Sequence, residues 1–110
     1  MRKISLDALA RDLLEKAAAA PVGHSAKTVC GGHEKVLRQT VIAMAEGSEL
    51  GEHENPGEAT VLVLQGRVRL RTESASWQGR RGDLIVIPNT RHSLEATENA
   101  AVLLTVAKLA

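Results

Sequence analysis

The sequence is nearly without aromatic side chains: its 110 residues include no Phe, no Tyr and a single Trp, Trp77. Sites for single-stranded nucleic acid stack several bases on aromatic rings, so one ring argues against such a site. A hydrophobic core must therefore be built from Val, Leu, Ile and Ala. Apolar residues make up 44% of the chain, enough for one compact domain of this length.

Cysteine and net charge are also scarce. The one cysteine, Cys30, excludes an internal disulfide and a zinc site built on several thiolates, and it favours a reducing compartment. We expect Cys30 to be a small packing residue rather than a nucleophile, because no partner base is evident. A formal charge of +1 supplies no global attraction to nucleic acid or to an anionic membrane.

Long apolar runs are missing as well. No stretch of eighteen consecutive apolar residues is present, which argues against a membrane-spanning helix. The opening Met-Arg-Lys and the later alanines superficially resemble a signal peptide, but charged residues interrupt the segment at positions 7, 11, 12, 15 and 16. We therefore predict a cytoplasmic protein with neither a membrane nor a nucleic acid as its partner.

The first part of the chain predicts one amphipathic helix. Ser5 is a suitable N-cap, and leucines follow at helical spacing at positions 6, 9, 13 and 14. Asp7 with Arg11 and Asp12 with Lys16 are i,i+4 pairs on the polar side. The helix should end before Pro21, so we assign residues 1–24 to a helix and linker and residues 25–110 to one β-domain.

Short β-rich segments follow, separated by Gly, Pro, Asn or acidic turn residues. We predict strands at residues 25–29, 36–44, 50–55, 59–72, 76–78, 84–87, 92–96 and 101–108, where the segment 59–72 holds two strands. Such a series indicates an all-β barrel or jelly roll preceded by one α-helix.

The segment 59–72 reads as a hairpin closed by Gln65-Gly66. In that register one face carries Val61, Val63, Val68 and Leu70, which should be core. The opposite face carries Leu62 and Leu64 together with arginines at positions 67, 69 and 71. The two leucines need cover from the N-terminal segment or from a second subunit.

Two segments, residues 47–66 and 82–92, resemble the two conserved motifs of the cupin superfamily. In the first, Gly47, His53 and Gly66 match the family's glycines and the first histidine of its His-x-His pair. Asn55 stands at the second histidine and Ala59 at the motif's glutamate. The resemblance implies a cupin-type β-barrel.

In the second segment, Gly82, Pro88 and His92 match the motif. The loop after Pro88 is one residue shorter than the pattern, Thr90 stands near the motif's glycine, and Ala96 takes the place of a later Asn. The resemblance covers residues 36–106 and also implies dimerisation, which is common among family members.

The resemblance implies a divalent metal held by imidazoles and a carboxylate inside the barrel. Strand alternation places positions 53, 55 and 59 on one inward face, with His92 approaching from the second motif. The candidate metal ligands are then His53 and His92, with Asn55 or Glu58 completing the shell. Since the carboxylate position holds Ala59, the predicted cofactor is either none or a weakly held divalent metal.

These histidines and the arginines of residues 67–71 can also be explained by ordinary structural roles. His53 and His92 are equally suited to being interior polar groups that hydrogen-bond to each other, to Asn55 or to water. His24 and His33 are expected to be solvated loop residues. The alternating arginines of residues 67–71 are expected to form a solvated strand face with cross-strand pairs rather than a nucleic-acid site.

Three functions remain open from the sequence. The first is a small-molecule binding or sensing module, whose cavity is lined by Val61, Val63, Val68 and Leu70 and whose polar contacts come from positions 53, 55 and 92. The second is a metal-dependent oxygenase or isomerase acting on a small polar compound. The third is a structural or regulatory scaffold. The missing carboxylate favours the first over the second, and the exposed apolar surface predicts a homodimer.

Overall fold

The structure, a computed structural model, describes residues 1–53 and 57–108, with the backbone but not the side chains of residues 52 and 53. In this part of the chain one helix precedes nine strands. The elements are α1 (Leu6–Ala19), β1 (His24–Gly31), β2 (Leu37–Met44), β3 (Glu49–His53), β4 (Gly57–Gln65), β5 (Arg67–Thr72), β6 (Ser76–Arg80), β7 (Leu84–Val86), β8 (His92–Ala96) and β9 (Ala100–Lys108). The predicted all-β class with one N-terminal helix is confirmed.

The helix begins where the sequence places its cap. The Ser5 hydroxyl accepts a hydrogen bond from the Ala8 N–H at 3.2 Å, which satisfies one of the unpaired donors of the first turn. The predicted pair of Asp12 and Lys16 forms at 3.1 Å, with both side chains more than half exposed. Such a pair adds little to stability, so the helix is held mainly by its buried face.

The strands form two antiparallel sheets that pack face to face. The five-stranded sheet has the order β1-β2-β9-β4-β7, and the four-stranded sheet has the order β3-β8-β5-β6. Inward side chains of both sheets form the main core, which contains Ile42, Met44, Ala59, Val61, Val63, Val68, Leu70, Ile85, Ile87, Leu94, Ala96, Ala100, Val102 and Val106. This is a jelly-roll arrangement, and the apolar core of the described residues contains no aromatic side chain.

Helix α1 covers the outer face of the five-stranded sheet. Its buried residues Ala10, Leu13 and Ala17 form a second apolar cluster with Val29, Val41, Ala43 and Ala101, and Leu64 and Leu103 pack against this cluster. Of the two leucines that needed cover, Leu64 therefore receives it from the helix of its own chain. Leu62 is half-buried beside its neighbours in β7 and β9.

The predicted hairpin of residues 59–72 is wrong in its pairing. Strand β4 pairs with β7 and β9, whereas β5 pairs with β6 and β8, so the two strands belong to different sheets. The predicted core face is nevertheless correct, because Val61, Val63, Val68 and Leu70 are at most 2% exposed. Alternation fixes which side chains point inward, but it is the same for a hairpin and for a corner between two sheets.

Gly66 makes this corner. Its φ is +74°, a backbone conformation that side-chain-bearing residues rarely adopt. A Cβ atom here would lie 2.0 Å from the Asn99 carbonyl oxygen and 2.8 Å from the Ala100 Cα. The chain therefore changes sheets where it passes directly over the backbone that enters β9.

The environment expected for Cys30 is also wrong, since its side chain is exposed. The register of β1 against β2 shifts between Thr28 and Cys30. Val29 is buried under the helix, and Cys30 on the other side of the strand faces outward. The apolar residue Val29 next to Cys30 in the sequence does not show that Cys30 is buried too, because adjacent residues of a strand point to opposite faces.

Gly66→Ala should destabilise the protein more than Gly82→Ala. Both glycines have positive φ, at +74° and +90°, but a Cβ at position 82 would meet nothing within 4 Å. The shared backbone strain costs roughly 1–2 kcal/mol. The clash at Gly66 should add about 1–3 kcal/mol.

Urea unfolding of the two variants measures this difference. Equal losses in the free energy of unfolding would show that the corner does not depend on the close approach to Asn99.

Candidate functional site

The structure brings the two motif histidines to neighbouring strands. The Cα of His92, the first residue of β8, is the partner of the Cα of His53 in β3 and of Thr72 in β5. His92 is 3% exposed, one of the few polar residues buried in the described part of the chain. The backbones of positions 53 and 92 are therefore adjacent, as predicted, whereas the side chain of His53 is not among the described side chains.

The orientation of the His92 ring follows from its hydrogen bond. Its Nδ1 lies 2.9 Å from the Thr90 carbonyl oxygen, two residues earlier in the chain. A carbonyl oxygen only accepts, so Nδ1 carries the hydrogen in this bond and Nε2 carries the lone pair of the neutral ring. A backbone carbonyl that fixes the tautomer in this way is a common support for histidines that bind metals or ligands.

A cavity lies beside His92 between the two sheets. Of the residues that the structure describes, eight aliphatic side chains and one imidazole line it: Ile42, Leu50, Val61, Leu70, Ile87, His92, Leu94, Val102 and Leu104. The cavity has a total empty volume of about 310 Å³, which includes space open to solvent. The volume available to the centre of a water molecule inside it is only about 20 Å³. The smaller value decides what fits, and it corresponds to about one water molecule.

Only part of the predicted lining borders this cavity. Val61 and Leu70 line it as expected, whereas Val63 and Val68 do not and are packed within the core. Side chains meet closely in that region: a Cβ added at Gly79 would lie 3.2 Å from the Val63 Cγ2 and 2.9 Å from the Ile85 Cδ1. The end of the barrel that contains Val63 and Val68 is thus closed by packing.

The remaining wall residues were missed in the sequence because only the segment 59–72 was assigned faces. Alternation could not have identified Ile42, Val102 and Leu104, because burial does not alternate along β2 or β9: α1 covers the outer face of these strands and the other sheet covers their inner face. Leu50 and Leu94 come from strands of five residues, and Ile87 directly follows the three-residue β7, so alternation gives a weak signal at these positions.

The described residues do not supply a metal shell. Ala59, at the position of the motif's glutamate, is 7% exposed and lies in the core without a donor atom. Glu58, one candidate for completing the shell, is exposed on the opposite side of β4, so its carboxylate does not lie inside with His92. Asn55, the other candidate, lies outside the described residues.

Across residues 1–53 and 57–108, and leaving aside the side chains of 52 and 53, no group of three or more His, Cys, Asp or Glu side chains is arranged to hold a metal ion. A firmly held divalent ion needs several converging oxygen or nitrogen donors, and aliphatic walls cannot supply them. The chemistry of these walls suits an apolar group with one polar end directed at His92.

The other polar candidates lie away from this cavity. His33 is exposed in the loop after β1, and His24 is half-buried at the start of β1 rather than in a loop. Two of the alternating arginines form cross-strand ion pairs, Arg69 and Arg71 with Glu95 of β8 at 3.4 and 3.2 Å, and Arg67 pairs at 3.3 Å with Glu98 in the turn between β8 and β9. The predicted strand face with cross-strand pairing is confirmed.

Within the described residues, no helix has both the length and the apolar character to cross a membrane.

Comparison with solved structures shows the same architecture elsewhere. A conserved protein of unknown function from Streptococcus pyogenes is 28% identical, with a TM-score of 0.73 over 83% of this chain and 79% of that one. An RmlC-like cupin protein from Desulfovibrio desulfuricans is 25% identical, with a TM-score of 0.67 over 76% of this chain and 81% of that one.

An enzyme also shares the fold. Salicylate 1,2-dioxygenase from Pseudaminobacter salicylatoxidans superimposes with a TM-score of 0.75 over 91% of this chain, but over 33% of its own chain and at 17% identity. A likeness at that identity shows the fold alone. Among curated proteins, no sequence matches this one.

The sequence pattern of the family described as the Cupin domain matches residues 40–107, which run from β2 to the penultimate described residue of β9. That match covers more than half of the chain and includes both strands that carry the motif histidines. The protein is a member of the cupin family.

Proposed function

We propose that this cupin is a binding or sensing module for a small molecule with an apolar body and one polar end. The observation that carries the proposal is the composition of the cavity: among the described residues, eight aliphatic side chains and one buried imidazole line it, and Ala59 stands in place of a carboxylate. Such a mostly apolar pocket with a single orienting polar group is typical of ligand sites. His92 would donate to or accept from the polar end, and the aliphatic walls would contact the rest.

The size of the cavity limits the ligand and the way it enters. Room for about one water molecule is too little for a preformed ligand chamber, so a ligand must displace side chains that line the cavity or bind partly outside it. Leu50 and Leu104 pack against the core while still partly exposed, which makes them suitable side chains to move. The energetic cost of that movement favours ligands of few atoms.

The competing enzyme reading is a metal-dependent oxygenase or isomerase. It draws on the family, which includes a salicylate dioxygenase of the same fold. Its requirement is a set of converging donors, and among the described side chains the interior offers His92 alone. We therefore place this reading second, and a scaffold without a ligand third, because a scaffold has no need of a buried imidazole.

The protein should contain no stoichiometric divalent metal when it is purified without a histidine tag. The described interior side chains include too few donors for tight binding, so Mn, Fe, Co, Ni, Cu and Zn should all fall well below one ion per chain. Mass spectrometry of the metals in wild type, His53→Ala and His92→Ala measures this. One ion per chain in the wild type that is lost in both variants would establish the enzyme reading instead.

A small ligand should raise the melting temperature of the wild type and not that of His92→Leu. A panel of short aliphatic and aromatic carboxylates, phenols and sugars is suitable, screened by thermal shift. A ligand at a hundred times its Kd stabilises the native state by about 2.7 kcal/mol, which is a shift of many degrees in a domain of this size.

His33→Leu is the matched control, since it makes the same substitution at an exposed loop position. It should respond to the ligand as the wild type does. A shift that is equal in His92→Leu would place the ligand elsewhere, and no shift over the whole panel would favour the scaffold.

We also propose that the chain forms a homodimer, through a surface other than the one the sequence indicated. The leucines of β4 are half-buried within the chain, but Trp77, Leu84 and Val86 are 45%, 60% and 72% exposed. They lie on β6 and β7, the edge strands of the two sheets. Pairing β7 with its copy about a two-fold axis at Ile85 would place Leu84 opposite Val86 of the partner subunit, which is self-complementary.

Val86→Lys should shift this dimer to monomer, because a charge would enter an apolar contact close to the axis. Val22→Lys is the control, at an exposed turn where the side chain is 65% accessible. Light scattering coupled to size exclusion gives both masses. A dimer unaffected by Val86→Lys would exclude this surface.

A further inference from the structure

The outer face of the four-stranded sheet places like charges directly opposite each other. In the pairing of β5 with β6, Arg67 is the partner of Arg80 and Arg69 is the partner of Gln78. The intervening pair of Val68 and Gly79 is buried, so both arginines project to the outer face. Two cations opposite each other on antiparallel strands are unfavourable unless negative charge compensates them.

The acidic residues nearby compensate only some of these cations. Glu98 pairs with Arg67 at 3.3 Å, and Glu95 serves both Arg69 and Arg71. Asp83 stands close to Arg80, but its Oδ2 accepts a hydrogen bond from the Arg80 backbone N–H at 3.0 Å, which holds the turn between β6 and β7. Among the described residues, no ion pair involves the Arg80 guanidinium.

The same face also has more N–H donors than acceptors. The Nε of Arg69 is closed off from solvent and has no hydrogen-bond partner among the described residues. A buried donor without an acceptor costs free energy, and it shows that the acidic residues of this face do not satisfy all of its arginines.

A groove of about 250 Å³ lies at this place. It is lined by Arg67, Gln78, Gly79, Arg80 and Asp83, so its side chains offer two guanidinium groups, an amide and one carboxylate. Gln78 and Asp83 also border the apolar patch of Trp77, Leu84 and Val86, so the groove adjoins that patch. The barrel interior lies beneath the sheet.

We propose that this groove binds a small oxyanion of the phosphate class, either free phosphate or the phosphate group of a small metabolite. Planar guanidinium groups bind such oxyanions through paired, charge-assisted hydrogen bonds. Arg80 and Arg67 would hold the anion from the two strands, and the Gln78 amide would donate to a further oxygen. Asp83 would oppose binding, because its carboxylate lines the same groove. The site does not depend on the function proposed for the interior.

Binding of inorganic phosphate to the full chain tests the proposal. The backbone amide signals of residues 76–83 are followed by NMR during titration with phosphate, with ionic strength and pH held constant by exchange against chloride. A saturable shift centred on these residues is expected. The matched pair of variants is Arg80→Gln, which should weaken binding about five-fold or more, and Asp83→Asn, which should strengthen it by a similar factor.

Arg11→Gln is the charge-matched control, since it removes one cation from the exposed side of α1. It should leave the affinity unchanged, and comparison of the melting temperatures of all variants without phosphate separates binding from folding. Non-saturable shifts, an unchanged affinity in Arg80→Gln, or equal weakening in Arg11→Gln would overturn the proposal. So would a lack of response to phosphate together with tight, strongly salt-dependent binding of a single-stranded oligonucleotide.

Discussion

The whole structure depends on how two sheets fill the space between them without aromatic side chains. Phe and Tyr are missing from the sequence, and its one Trp lies at a sheet edge, so Val, Leu, Ile, Ala and Met form the interior. Short aliphatic side chains pack densely and leave few voids. The cavity that remains has room for about one water molecule, and this limit governs every function that can be assigned to the barrel.

Within that interior, His92 is exceptional. It is buried on the first residue of β8, and its ring is held by the backbone two residues earlier. A buried imidazole costs free energy unless its nitrogen atoms are engaged, and a purely structural core would be served as well by leucine. Among the described side chains that line the cavity, His92 is surrounded by aliphatic groups, and the proposal of a ligand contact depends on this arrangement; a metal centre would need several further donors to converge there.

Much of the fold could be predicted from the sequence because local patterns determine it. The N-cap Ser5, the leucine spacing of α1 and the alternation of Val61, Val63, Val68 and Leu70 each depend on residues close together in the chain. The partner of a strand, by contrast, is not determined by residues close to it in the chain. Strand β4 pairs with β9, some forty residues later, and the turn signal Gln65-Gly66 fits a hairpin as well as a corner.

For the site, the motif spacing predicted that positions 53 and 92 lie close together. The volume of the cavity beside them could not be predicted from any one segment, because it depends on side chains from six or more strands.

The position of β9 has a consequence for how the protein is made. It is the last strand in chain order, yet it lies in the middle of the five-stranded sheet, between β2 and β4. Until the ribosome has released this segment, β2 and β4 each lack their neighbour, and the apolar faces that β9 covers stay open to water. Assembly of the sheet must therefore wait for β9 and close long loops, which slows folding and leaves apolar strand faces open to aggregation in the meantime.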